Sequence, residues 1–174
     1  MSEGSYIYLV GFGVEKRLLL AVAKSVKEVF KREVRLSHIV LPPYLAYDPH
    51  RRQHRAGVLL DFLTRVNYPR MLKLVGLFPF DLYEEGVDFI FGLSRLSGEH
   101  GLVGTFRLTS AEERLYFERV CKEVNHELGH TFGLLHCGTP GCVMNPSESP
   151  QQVDAKGRFL CEECNKILSK AQEV

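Results

Sequence analysis

The sequence predicts an α/β (α+β) fold: a mixed, mostly parallel five-stranded sheet, one long helix carrying the candidate site, and a small cysteine-bearing C-terminal part. Three observations point there. In the first half of the chain, short β-branched apolar runs alternate with stretches whose apolar residues recur at helical spacing. Later apolar runs follow one another through short loops. After Gly133 the chain turns polar and rich in turn residues, and it holds four of the five cysteines.

Each element has its own justification. Tyr6–Phe12 (YIYLVGF) reads as a short buried strand. In Val14–Phe30, residues Leu18, Leu19, Val22, Val26, Val29 and Phe30 fall on one helical stripe. Val34–Leu41 reads as a second strand, stopped by Pro42–Pro43. Gln53–Val66 places Val58, Leu59, Phe62, Leu63 and Val66 on one face of a second helix, with the basic run His50–Arg55 as its solvated start. Leu72–Leu77, Asp88–Leu93 and Leu102–Leu108 read as three further strands. Strands separated by helices pair in parallel, and short loops between the late strands allow an antiparallel edge.

The 174 residues suffice for one domain with a real core, read as an upper part, 1–133, and a C-terminal part, 134–174. No repeat or low-complexity tract interrupts it. A formal net charge of +1 excludes a nucleic-acid partner held by bulk charge. The opening MSEGSYIYLVGFG has no basic start and a glycine-broken apolar run, so a secretory leader is not expected. No apolar run approaches the ~20 residues of a membrane span. The expected setting is the cytoplasm, where thiols stay reduced and cysteine pairs read as metal ligands before disulfides. A monomer is expected.

The next helix matters most. Ser110-Ala-Glu-Glu113 fits a capping box, and the helix runs to about Phe132. At about 100° per residue, Cys121, Val124, Leu128 and Phe132 lie within about 60° of Phe117, as one apolar stripe. On the same ruler His126 lies about 180° from Phe117, His130 about 140° and Glu127 about 80°. The helix is therefore expected to form the floor of a cleft rather than an all-round buried rod. Cys121, on the stripe, reads as a small buried hydrophobe.

His126-Glu-Leu-Gly-His130 is H-E-x-x-H. Two histidines at i and i+4 share a helix face and reach one zinc ion. Gly133 ends the helix with a turn that glycine takes cheaply, and His136 follows as third ligand. Three nitrogens leave a fourth position open for water, as in catalytic zinc sites. Glu127 is the expected general base, and the chemistry is hydrolysis of a peptide or other amide bond.

The string H-E-x-x-H-x-x-G-x-x-H, His126 to His136, resembles that of the metzincins. Cys142-Val-Met144-Asn-Pro146 resembles their Met-turn, with cysteine in place of serine. The closer resemblance is to the archaemetzincins, whose pattern adds a cysteine after the third histidine, a second shortly after, and a distal C-x-x-C. Cys137, Cys142, Cys161 and Cys164 stand in that order. The resemblance implies a metzincin-like zincin fold, a protease domain with two zinc ions, a peptide or protein substrate, and Met144 as an apolar base beneath the ligands that binds no metal. Two departures stand out. No tyrosine follows Met144, so a fifth ligand of the astacin kind is absent, and no pro-segment is expected before the first strand.

Cys137-x4-Cys142 and Cys161-x2-Cys164 together supply four thiolates, the set of a closed structural zinc site. A disulfide fits a reducing setting poorly, and no thioredoxin-like context surrounds the C-x-x-C as it would a redox pair. A final helix is expected over Cys161–Lys170, with Leu160, Cys164, Ile167, Leu168 and Ala171 on one side. One late strand within Gly92–Arg107 is expected at the cleft rim. The rival readings are a zinc-bound scaffold or peptide-binding protein without turnover, against which Glu127 argues, and a zinc module for nucleic acid, against which the charge argues.

Overall fold

Apolar residues on both faces of the early strands require cover on both sides, and the fold supplies it. A computed structural model describes residues 4–40 and 43–173. Residues 1–3, part of the opening stretch, and Leu41 and Pro42, where the second expected strand ends, lie outside the described residues. In chain order the elements are β1 (Tyr6–Phe12), α1 (Lys16–Phe30), β2 (Val34–Ile39), β3 (Tyr47–Asp48), β4 (Gln53–Arg55), α2 (Ala56–Leu63) and β5 (Met71–Phe78). They continue with β6 (Leu82–Tyr83), β7 (Gly92–Ser94), β8 (His100–Gly104), α3 (Glu113–Thr131), α4 (Pro150–Ala155) and α5 (Glu162–Gln172).

The main sheet has five strands in the order β2-β1-β5-β8-β7. All pairs are parallel except β7 with β8 at one edge. Side chains alternate across the pleat. Ile7, Leu9, Val75, Leu77 and Val103 face a core shared with α1 and α3. Val10, Phe12, Leu74, Phe78 and Leu102 face a second core against α2. The sheet is thus covered on both faces, as its continuous apolar strands require.

Several local expectations are corrected. The helix expected over Gln53–Val66 is only Ala56–Leu63. Gln53–Arg55 instead forms β4, pairing with β3 and β6 in a small second sheet, so the basic run is a turn and a strand, not a helix start. Of Asp88–Leu93 only Gly92 and Leu93 are strand; Ile90 makes a single bridge to Leu82. The strand expected over Leu102–Leu108 begins earlier, at His100, and ends at Gly104, after which Phe106–Leu108 coils into a 3-10 turn. Ser110 does not cap α3: Glu112 is the N-cap, and the Ser110 hydroxyl accepts from the Glu112 N–H at 3.2 Å. Ile167 of α5 is exposed, whereas Cys164 and Leu168 are buried.

The segment read only as polar and turn-rich holds α4. Ser149 caps it, accepting from the Gln152 N–H, and Pro150 sits in its first turn. Arg119 of α3 grips Asp154 through two 2.7 Å bonds, and Lys122 donates to the carbonyls of Val153 and Asp154. Arg158 pairs with Glu28 of α1 at 2.7 Å. These polar ties add to apolar packing, since Leu134, Val143, Met144, Val153, Leu160 and Leu168 join the core shared with α1 and α3. Among the described residues no helix is long and apolar enough to cross a membrane.

Phe30 at the end of α1 is fully buried and stacks on Phe132, just past α3, at 5.6 Å between ring centroids. Phe30→Ala is expected to lower stability by about 3–5 kcal/mol, the cost of a large aromatic lost from a core. Urea unfolding checks this, and a loss near zero would show that the α1–α3 contact is dispensable.

Candidate active site

The second half of α3 is packed on nearly every side. From Val120 to Thr131 every residue but His130 is buried, including Lys122, Glu123, Asn125 and Glu127. This corrects the simple image of a helix floor with one free face: the helix lines the cleft through a window in an otherwise enclosed rod.

Two backbone carbonyls set the imidazoles. The Val143 carbonyl is 2.9 Å from His126 Nδ1, and the Leu134 carbonyl is 2.7 Å from His130 Nδ1. A carbonyl only accepts, so both Nδ1 atoms carry the proton and both Nε2 atoms present bare lone pairs. Those Nε2 atoms lie 3.1 Å apart, where no hydrogen joins them. Two lone pairs so close repel unless a cation stands between them. Nitrogens at about 2.0–2.1 Å from one tetrahedral zinc are about 3.3 Å apart, so the spacing fits that ion. Burial, followed by the Lys156 charge, pushes His126 down to about 2, which keeps it neutral and ready to ligate.

The third histidine arrives by a tight turn. Gly133 takes φ +89°, its N–H bonds to the His130 carbonyl, and the Leu134 N–H returns to Gly129. His136 is exposed, with its ring centroid 5.3 Å from His126 and 5.0 Å from His130. One ligand atom from each of the three lies within 4.8 Å of the others. Met144 is fully buried against Gly129, where any Cβ would strike its sulfur. The Met144 carbonyl accepts from the Cys137 N–H at 3.0 Å, which joins the turn to the segment carrying His136.

Glu127 sits between α3 and β7. Ser94 Oγ donates to Glu127 Oε2 at 2.6 Å. Burial pushes the carboxyl up to about 8, with the Ser94 bond opposing it. A cavity of about 550 Å³ lies to one side, bounded by residues 86–92, Glu123 and Pro146–Glu148. Another of about 400 Å³ lies to the other, bounded by Gly92–Ser94, Leu96, His130 and Leu135. His126, Glu127 and His136 line both, so the cleft runs across the site. The rim strand expected within Gly92–Arg107 is β7, at the sheet edge.

The four cysteines also meet. Cys137 Sγ is 3.8 Å from Cys161 Sγ, and Cys142 Sγ is 3.8 Å from Cys164 Sγ. All are free thiols. Sulfurs at about 2.3 Å from a tetrahedral zinc are about 3.8 Å apart, so this donor set fits too. The Cys164 backbone N–H, first among several groups, holds the Cys161 thiol down to about 6, while burial pushes Cys142 and Cys164 up. Cys121, pushed up to about 11 by burial, is an inert core residue as expected.

The motif itself gives no hint of the supporting side chains. Ser94 carries no signal of its own in the sequence. Lys156 and Glu123 form a fully buried ion pair at 2.9 Å; the ammonium also donates to the Asn145 carbonyl at 3.0 Å and lies 3.5 Å from His126 Nδ1. Lys73 of β5 donates to the Thr131 carbonyl at 2.8 Å and the Gly98 carbonyl at 2.6 Å, closing the end of α3. Lys122, Glu123 and Asn125 are buried polar residues of the helix, and each finds a partner in the 153–158 segment. Lys156→Met leaves Glu123 buried and unpaired and is expected to cost about 3–5 kcal/mol, whereas Glu123→Leu with Lys156→Met recovers most of it. Thermal or denaturant unfolding of the three proteins decides; equal losses in the single and double variants would refute the account.

Comparison with known proteins gives the same result. Residues 14–170 match the model of peptidase family M54. An archaemetzincin of Methanopyrus kandleri is 43% identical over 130 residues, covering 74% of this chain and 73% of that protein. One of Archaeoglobus fulgidus is 36% identical over 162 residues, covering 91% and 95%. The crystal structure of the M. kandleri archaemetzincin matches with a TM-score of 0.90 at 34% identity, over 99% of this chain and 98% of that one. That of the A. fulgidus archaemetzincin, complexed with malonate, matches with a TM-score of 0.83 at 34% identity, over 93% and 99%. The fold is thus the metzincin-like one. The chain belongs to peptidase family M54, the archaemetzincins, and is a zinc metallopeptidase.

Proposed function

We propose that the chain hydrolyses peptide bonds with Glu127 as general base, one catalytic zinc on His126, His130 and His136, and one structural zinc on Cys137, Cys142, Cys161 and Cys164. The observation that carries the reading is the pair of bare Nε2 atoms 3.1 Å apart beside a buried carboxylate in an open cleft. Metal binding alone has no use for that carboxylate. The catalytic ion, when bound, polarises the scissile carbonyl and lowers the pKa of its water toward ~7.

The chain's own residues do the rest. Glu127 accepts a proton from the attacking water and passes it to the leaving amine as the peptide C–N bond breaks. Burial of Glu127 excludes bulk solvent from that transfer. The cleft extends to both sides of the base, so a peptide has room on either side of the cut. Met144 fills the space beneath the histidines.

The cysteine site braces the same segment. His136 and Cys137 are neighbours, so the two donor sets are joined by one peptide bond. The part from 134 to 174 is the C-terminal part of a single metallopeptidase domain, and its metal crosslink adds to the apolar contacts it makes with the main core.

Two outcomes are expected. Incubation with a diverse peptide library, read by mass spectrometry, yields cuts that Glu127→Ala abolishes; identical patterns, with zinc confirmed at both sites, would favour the non-catalytic scaffold. Cys161→Ser lowers the melting temperature and weakens zinc at the histidine site, read by metal titration; native values of both would sever the proposed link.

A further inference from the structure

Strand β7 does more than border the cleft. Gly92 and Ser94 are two residues apart on it and face the same side of the sheet. Both bear on one carboxyl group. Ser94 Oγ donates to Glu127 Oε2 at 2.6 Å, a short hydrogen bond. At Gly92 a Cβ would come within 2.8 Å of Glu127 Oε1, 2.7 Å of its Cγ and 2.7 Å of the Leu102 carbonyl on β8, so only glycine fits between the carboxyl and the neighbouring strand.

The strand itself is held. It pairs with β8 through Gly92 to Val103, Leu93 to Leu102 and Ser94 to Gly101. Beyond it the chain is tied to the end of α3, where the Ser97 N–H donates to the His130 carbonyl at 2.9 Å. Gly101 admits the Ser94 side chain, since a Cβ there would lie 3.1 Å from Ser94 Cβ. The serine is thus fixed by the sheet, and the glutamate by the helix.

We propose that Ser94 is a positioning residue for the hydrolytic reaction: it anchors Oε2 of Glu127 so that Oε1 is the oxygen that takes the water's proton, with Gly92 keeping that orientation free. The proposal rests on Glu127 acting as the base. Among the described residues no protein donor reaches Oε1, which leaves it for water. Without the serine the carboxyl rotates about its terminal bond, and its two oxygens share the task at random.

The test uses the zinc-loaded full chain with Ser94→Ala, Ser94→Thr and Gly92→Ala. On a peptide that the native protein cleaves, Ser94→Ala is expected to lower kcat about 10- to 100-fold, the worth of a hydrogen bond to a charged group, with KM within about twofold. Ser94→Thr, which keeps the hydroxyl, restores most of kcat. Gly92→Ala lowers kcat although its serine is intact.

A second readout needs no turnover. A peptide hydroxamate gives its proton to the base carboxylate on binding, so its affinity reports the orientation of Glu127. Ser94→Ala is expected to weaken it about tenfold and Ser94→Thr hardly at all, with zinc content unchanged. A crystal structure of Ser94→Ala should show the carboxyl turned. Native hydroxamate affinity and an unmoved carboxyl in Ser94→Ala would overturn the proposal, as would a loss that threonine fails to restore. If the native protein cleaves no peptide, the peptidase mechanism falls, and the hydroxamate series still decides the role of Ser94.

Discussion

Two carbonyl groups govern the centre of this molecule. The oxygens of Val143 and Leu134 take the Nδ1 protons of His126 and His130, which leaves two nitrogen lone pairs aimed at each other across 3.1 Å. That arrangement is unfavourable by itself and turns favourable around a cation. Everything nearby serves to place those carbonyls. Leu134 reaches its position because Gly133 turns the chain back on the helix, and Val143 because its N–H is held by the Phe159 carbonyl at 2.9 Å. The turn after the helix and the bend near Phe159 therefore support the candidate metal site, although neither carries a candidate ligand.

The C-terminal part shares the main core and is tied to it by a run of polar contacts. Lys156, Gly157 and Phe159 meet Asn145, Gly141 and Val143 in succession, and Asn125 reaches the Arg158 carbonyl from the helix. Asn145 in turn holds the carbonyls of Cys137 and Thr139. A chain of hydrogen bonds thus runs from a buried glutamate on the helix, through a lysine, to the cysteine cluster. Such networks are costly when half satisfied and specific when complete, which suits a segment that must place a ligand accurately.

Much of this was legible in the sequence. The H-E-x-x-H spacing, Gly133 and His136 fixed the histidine cluster because helix periodicity and one permissive residue determine where those rings go. The cysteine spacings did the same for the second cluster, and the short apolar runs Tyr6–Phe12 and Leu72–Leu77 marked the central strands. Other features were hidden for physical reasons. Gln53–Arg55 reads as the polar, solvated start of a helix, but pairing with β3 and β6 outweighs that local reading. Asp88–Phe91 looks like a strand by residue type, yet it borders the cleft and has only one bridge to share. Ser94, Lys73 and Lys156 act through contacts distant in sequence, which no local pattern reports. Ser149-Pro150 was a readable helix start that the polar surroundings obscured.

The end of α3 has one further consequence. Helix termini ordinarily fray, because their last carbonyls lack partners. Here the His130 carbonyl accepts from Ser97 and Gly133, that of Thr131 from Lys73, and that of Leu128 from the Thr131 hydroxyl. The turn that carries His130 is therefore among the least mobile in the helix, and its amide protons belong to the slowly exchanging class. Most of the ordering entropy for placing His126 and His130 is thus spent when the chain folds.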